Sequence, residues 1–141
     1  MNTKVNALSF FFYMEYRNTF PKAEHLYGKT AVDALYATGK TFFCYPIRVV
    51  FRRAEKRDDI PARLLVNAPK KRFKHAVDRN HIKRQLRESY RVNKGILFDY
   101  LAGKEYQLHF SFNYIGDKLE PSSFVLKRTK LALEKLIKQL P

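Results

Sequence analysis

Groups that can move protons, attack a bond or ligate a metal are few in this chain and scattered along it. Asp33, Asp58, Asp59, Asp78, Asp99 and Asp117 fall in separate segments with no motif joining them. Hydrolysis of a phosphodiester would need paired acid–base groups or a cage of carboxylates around divalent ions. Asp58 and Asp59 are adjacent, but inside "KRDDIP" they read as a solvated turn. His25, His75, His81 and His109 have no metal-ligand spacing. Cys44, the only cysteine, permits neither an intrachain disulfide nor a thiolate-rich zinc site, and it fits a reducing cytoplasm. The expectation is a protein with no catalytic and no metal-binding residues of its own.

The chemistry that the chain does concentrate is anion binding. Residues 70–91, "KKRFKHAVDRNHIKRQLRESYR", are dense in Lys and Arg yet keep a helical apolar rhythm. On a helix over residues 76 to 94, at about 100° per residue, Asn80, Arg84, Arg87 and Arg91 fall within an arc of about 60°. Lys83 and Lys94 lie at its edge, Ile82, Leu86 and Tyr90 form a separate apolar arc, and Asp78, His81, Gln85 and Glu88 point elsewhere. A face stabilised by surface ion pairs would interleave acids and bases at four-residue spacing, and this one is expected not to. Arg presents a planar fork of donors matched to phosphate oxygens, Lys adds compact charge, and Asn can hold register on a phosphate or a base edge. Lys70, Lys71, Lys74 and Arg79 extend the same positive surface upstream. A charge-rich helix face that is merely solvated is the plainer alternative.

Positioning such a stripe needs a fold, and the composition permits one. The 141 residues are 45% hydrophobic and 15% aromatic, enough for one packed domain, and 28 Lys plus Arg against 13 Asp plus Glu leave a formal charge of +15. That field calls for a polyanionic partner. No segment approaches the roughly twenty apolar residues of a membrane span. Residues 1–20 read as an N-terminal extension and 21–141 as a single domain. "ALSFFFYM" is too short and too soon followed by Glu15 and Arg17 for a secretion signal, and Met14 is the expected true start.

Within the domain, "KTAVDALYATG" reads as a short helix stopped by Gly39, with "AEHLYG" before it as a possible helical turn. "TFFCYPIRVVFRR" reads as a strand region with Pro46 at an edge or a start, and "RAEKRDD" as a turn. Leu64 to Val66 is a second short strand. "EYQLHFSFNYI" alternates Tyr106, Leu108, Phe110, Phe112 and Tyr114 against Gln107, His109, Ser111 and Asn113, giving one core face and one polar face. A closing helix begins at a Ser122 or Ser123 cap and carries Phe124, Leu126, Leu131, Leu133, Leu136, Ile137 and Leu140 as its apolar stripe. The mixture predicts an α/β (α+β) fold: a small two-layer α-β sandwich with one mixed sheet, a basic crossover helix and a packed C-terminal helix.

The order Lys70, Lys71, Ala76-Val77-x-Arg79-Asn80-x-Ile82-Lys83-Arg84-x-x-Arg87-Glu88 resembles the signature of the protein subunit of bacterial ribonuclease P. The likeness extends weakly over about residues 20 to 140. Two departures stand out: His81 occupies a position where the family usually has Arg, and "VNAPKK" replaces the family's "Ser-x-Ser-Lys-Lys" approach. The resemblance implies a sandwich in which the signature helix joins two parallel strands by a left-handed crossover. It implies an RNA-binding subunit of a ribonucleoprotein endonuclease in tRNA processing, whose catalytic RNA and RNA-bound Mg²⁺ remove the 5′ leader of precursor tRNA. The signature helix and its approach would contact that RNA, and a cleft between the first helix and the sheet would hold the single-stranded leader. No membrane and no protein partner is implied.

Single strands are gripped by stacking bases on aromatic planes over a positive groove. Tyr36, Phe42, Phe43 and Tyr45 are the candidates for the leader cleft, each with core packing as its alternative; Val32 stands where the family often has Phe. The polar face of Gln107, His109, Ser111 and Asn113 either floors that cleft or faces water. Two other functions compete. A structural RNA binder, such as a ribosomal protein with a similar small α/β domain, would share charge and fold but need no leader cleft. A helix-turn-helix DNA binder would need a second helix just before residue 76, where "RLLVNAPKK" reads as a strand.

Overall fold

The computed structural model describes residues 19–140. The N-terminal extension and the Met14 start therefore fall almost wholly outside the described residues. Phe20 does not: it packs edge-on against Tyr90, so the folded body reaches at least one residue beyond the expected boundary at 21.

A 3-10 turn at Lys22–Glu24 leads into helix α1 (Lys29–Thr38). Gly39 ends α1 as expected, although by close approach rather than by left-handed backbone. Its φ is −75°, and a Cβ there would run into the Leu35 carbonyl oxygen and sit 2.8 Å from Val50 Cγ1. The expected single strand region is a hairpin, β1 (Lys40–Cys44) and β2 (Ile47–Glu55), folded at Tyr45-Pro46, whose peptide bond is cis. Residues 53–55 of the expected "RAEKRDD" turn belong to β2.

Strand β3 (Ala62–Asn67) is followed by α2 (Ala76–Asn93), then α3 (Gly95–Leu101), β4 (Tyr106–Tyr114) and α4 (Ser122–Lys138). The mixed sheet runs β1-β2-β4-β3. The β1–β2 and β2–β4 pairs are antiparallel, and β3 and β4 are parallel, joined across the sheet by α2 and α3. A strand before α2 leaves no room for a helix-turn-helix.

One sheet face carries the main core. Ile47, Val49, Phe51, Leu64, Val66, Phe110, Phe112 and Tyr114 meet Ile82, Leu86 and Tyr90 of α2, Leu97 and Phe98 of α3, and Val125, Leu133 and Leu136 of α4. Each large apolar side chain fully withdrawn from water here contributes about 1.5–3 kcal/mol. The buried stripe of α4 is Val125, Thr129, Ala132, Leu133 and Leu136, whereas Leu126 is exposed, a correction of about one position in the expected face. No serine caps α4. Pro121 is the N-cap, and Ser122 Oγ accepts a bond from Gln85 Nε2, tying α2 to α4.

On the opposite face α1 covers only the middle of the sheet, where Leu26 and Leu35 pack on Val50 with Ala31, Val32 and Leu65 beside them. The polar side of β4 therefore does not face water. Gln107, Ser111 and Asn113 are buried, and Asn113 Nδ2 donates to Ser111 Oγ at 2.8 Å.

Candidate nucleic-acid interface

Because Ile82, Leu86 and Tyr90 are drawn into the core, α2 can present only its opposite arc outward. Asn80, Arg84, Arg87 and Arg91 do line one open hollow of about 470 Å³, together with Glu88, Phe20 and His25. Arg84 and Arg87 are exposed and have no ion-pair partner among the described residues. Arg91 departs from expectation, since Glu88 turns onto the same face and grips it at 2.6 Å, the i,i+3 geometry of a helix surface pair. That bond holds the Glu88 carboxyl below its ordinary value and the Arg91 guanidinium above its own.

Arg79 is partly spent within the protein: its Nη1 donates to the carbonyls of Phe73 and Lys74, fixing the entry of the chain into α2. Lys70, Lys71 and Lys74 are exposed along that entry, Lys83 is half-buried, and His81 is exposed and does not line the hollow.

Lys94, expected at the edge of the basic arc, is instead fully buried. Its Nζ lies 2.6 Å from Glu24 Oε1 and 4.8 Å from the centre of the Phe98 ring. Burial raises the Glu24 carboxyl and lowers the Lys94 ammonium, each against the pull of the other's charge. This pair seats the N-terminal segment against the end of α2. The His25 ring stacks on Phe20 with centroids 4.0 Å apart, and His25 forms a bridge to Leu64 on the β3 edge. The hollow thus has α2 as one wall and Phe20–His25 as the other.

A second arrangement occupies the other sheet face. Strand register sets Phe43, Arg48, Asn113 and Asn67 in one row across all four strands, on a shared face. Above that row, Tyr36 of α1 donates its hydroxyl to Asn113 Oδ1 at 2.8 Å while 40% of the residue stays exposed. Phe43 is 63% exposed and Tyr45 44%. Phe42 does not join them. Strand alternation turns it to the main core, where it meets Phe51 edge-on, so its place in the expected cleft is corrected. Val32 is a packing residue beneath α1.

At the far end of the same face Arg63, Asp58, Gln107 and His109 form a closed network. Arg63 Nη2 meets Asp58 Oδ2 at 2.7 Å, and Gln107 Nε2 donates to Asp58 Oδ1 at 2.7 Å. His109 Nε2 lies 2.7 Å from Gln107 Oε1, and burial, with Arg52 and Arg63 nearby, lowers the imidazole to about 4. Among the described residues no group of three or more His, Cys, Asp or Glu is gathered for a metal, and no helix is long and apolar enough to cross a membrane.

A family model described as Ribonuclease P matches residues 20–113. The chain belongs to the ribonuclease P protein family. One relative, "Ribonuclease P protein component" of Porphyromonas gingivalis, is 33% identical over 120 residues, covering 85% of this chain and 88% of its own. Another with the same name, from Chlorobaculum tepidum, is 40% identical over 104 residues, covering 69% and 68%. The Staphylococcus aureus RNase P protein shares the fold at a TM-score of 0.63 and 19% identity, covering 82% of this chain and 96% of its own. That of Thermotoga maritima does so at 0.57 and 22%, covering 84% and 98%.

Sequence reasoning missed Phe20, His25 and Arg48 in these two places. Phe20 and His25 are seated at the hollow by the buried Glu24–Lys94 pair, the Phe20–Tyr90 contact and the His25 bridge to Leu64, none of which a local pattern announces. Arg48 was legible as the polar partner in an alternating strand, but its neighbours across the row come from three other strands.

Proposed function

We propose that this protein is the RNA-binding subunit of a ribonuclease P holoenzyme, an endoribonuclease whose RNA removes the 5′ leader of precursor tRNA. The observation that carries this reading is the run of Asn80, Arg84 and Arg87 on one outward arc of α2, with neither guanidinium paired to an acid among the described residues, in a chain of this family. Free guanidinia bind phosphate by releasing counterions, which makes the contact strong at low salt and weak at high salt. Lys70, Lys71, Lys74 and Lys83 would lengthen that contact, and Arg91, paired with Glu88, and Arg79, bonded to backbone, would add less.

The leader would lie in the row of Phe43, Arg48, Asn113 and Asn67 beneath Tyr36. Exposed aromatic planes beside a cation and two amides are the elements of a single-strand groove. Contacts to both RNAs by one protein of charge +15 would lower their mutual repulsion and improve substrate affinity. Mg²⁺ belongs to the RNA in this reading. Among the described residues no carboxylates gather into a donor set for it, and Asp58, Glu88 and Glu24 are engaged by Arg63 and Gln107, by Arg91 and by Lys94. No step is therefore assigned to a protein-bound ion.

Reconstitution with a ribonuclease P RNA tests the proposal. At low Mg²⁺ the protein is expected to stimulate 5′ leader cleavage of precursor tRNA, and absence of stimulation overturns the reading.

A further inference from the structure

The hollow beside α2 contains more than a basic stripe. Its second wall is an aromatic and a titratable ring, Phe20 and His25, stacked at 4.0 Å with their planes 17° apart. Phe20 is braced by Tyr90 at 5.2 Å, and the whole segment is anchored by the Glu24–Lys94 pair. At about 470 Å³ the space falls in the range of about 300–1,000 Å³ typical of small-ligand sites. Its polar lining is chosen for an anion that also offers a flat ring: two free guanidinia, an amide, and a stacked aromatic pair.

We propose that this hollow is a site for one nucleotide of an RNA strand, in which Arg84 and Arg87 hold the phosphate and His25 joins them as an imidazolium donor, so that binding takes up a proton. The inference rests on the proposed RNA-binding function and adds to it a defined pocket and a pH dependence.

His25 Nε2 lies 3.4 Å from the Phe20 carbonyl oxygen, a long contact with a group that can only accept, which favours the neutral tautomer with its proton on Nε2. Nδ1 is then a lone pair, and it can meet a phosphate oxygen only after taking a proton of its own. In the free protein that proton is disfavoured. Burial and the Arg87 charge both lower the imidazole, against the Phe20 carbonyl contact that raises it. Arg84, Arg87 and Arg91 face the hollow from α2 with Glu88, which is engaged by Arg91. On the N-terminal segment the neighbouring acid, Glu24, is turned to Lys94. A phosphate between Arg84 and Arg87 reverses the local field, and the imidazolium becomes the favoured form.

The test follows the His25 ring by NMR in the full-length protein, alone and with a pentaribonucleotide carrying a 5′-hydroxyl, whose phosphodiesters do not titrate between pH 6 and 8; loss of its signal in His25→Gln assigns it. Free His25 is expected to titrate below an ordinary histidine and to move upward by about one unit or more when the oligonucleotide is bound. The upward movement should vanish in Arg84→Ala/Arg87→Ala. Oligonucleotide affinity should fall about three- to tenfold from pH 6 to pH 8 in the wild type. His25→Gln should bind at the weak, high-pH level throughout, and His25→Arg at the tight level throughout. An unchanged His25 titration on binding, a pH dependence retained in His25→Gln, or an equal shift with inorganic phosphate at the same concentration overturns the proposal. The reconstitution assay separates the two readings: leader cleavage stimulated equally by wild type and His25→Gln at every pH overturns the nucleotide site while leaving the proposed function standing.

Discussion

The hollow beside α2 and the row beneath Tyr36, the two surfaces proposed to meet RNA, are built in different ways. In the hollow, most contacts sit three or four residues apart on one helix, and charge dominates: Arg84 and Arg87 project freely and only Asn80 and His25 add direction. In the row, Phe43, Arg48, Asn113 and Asn67 come one from each strand, the Asn113 amide is held by Tyr36, Ser111 and the Arg48 carbonyl, and a single cation stands among exposed aromatic planes. The first surface suits an attraction that tolerates sequence and reports salt. The second suits stacking of unpaired bases. On the proposed reading, one chain would hold a structured RNA and a single strand on opposite faces of one sheet without the two sharing a side chain.

The comparison can be broken most severely through the element that forms only one of these surfaces. Lys94→Met leaves Glu24 as an uncompensated buried charge and should cost about 3–5 kcal/mol in urea unfolding, with the double variant Glu24→Leu/Lys94→Met recovering most of the loss. A double variant as unstable as the single one would remove the pair as the anchor of the hollow's wall. Next in size, Tyr36→Ala should weaken binding of leader-bearing precursor tRNA by about 1–3 kcal/mol and leave a leaderless ligand unchanged. Equal losses for both ligands would erase the distinction between the surfaces. Arg84→Ala and Arg87→Ala should weaken assembly with the catalytic RNA, each flattening the dependence of log K on log salt by about 0.7–0.9. The same flattening from Arg48→Ala would make the row an electrostatic surface too.

The last expected effect concerns acid stability. His109 titrates at about 4 in the folded chain against an ordinary value of 6.5, so the fold favours its neutral form. Between pH 6.5 and 4 the unfolded chain takes up a proton that the folded chain refuses, and stability falls as pH falls across that window. His109→Gln should make this decline shallower in pH-dependent thermal unfolding while leaving leader binding near pH 7 unaltered.

What the sequence made legible follows the reach of its patterns. The arc of α2 was readable because helical geometry connects Asn80, Arg84, Arg87 and Arg91 by counting alone, and β4 because alternation over nine residues admits no other period. Helix α3 escaped notice since seven residues give fewer than two turns of rhythm. The hairpin at Tyr45-Pro46 was merged into one strand because the apolar run continues across the turn. Lys94 and Glu88 were misplaced for one physical reason. Angle on a wheel says where a Cβ starts, and long side chains end wherever a partner is, 70 residues away for Lys94 and three for Arg91. Of the row beneath Tyr36, only Phe43 and Asn113 were legible as candidates, since register between four strands is a property of the whole sheet.

The Glu24–Lys94 contact also has a historical side. Either charge alone is a burden to the folded chain, whereas two charges or two apolar residues of similar volume are both tolerable. Descendants of this protein can therefore change these positions readily only as a couple, because each single step passes through a chain with a stranded charge in its interior. An alignment of close relatives should show the two columns altering together, Glu with Lys or apolar with apolar, even where the residues between them drift independently.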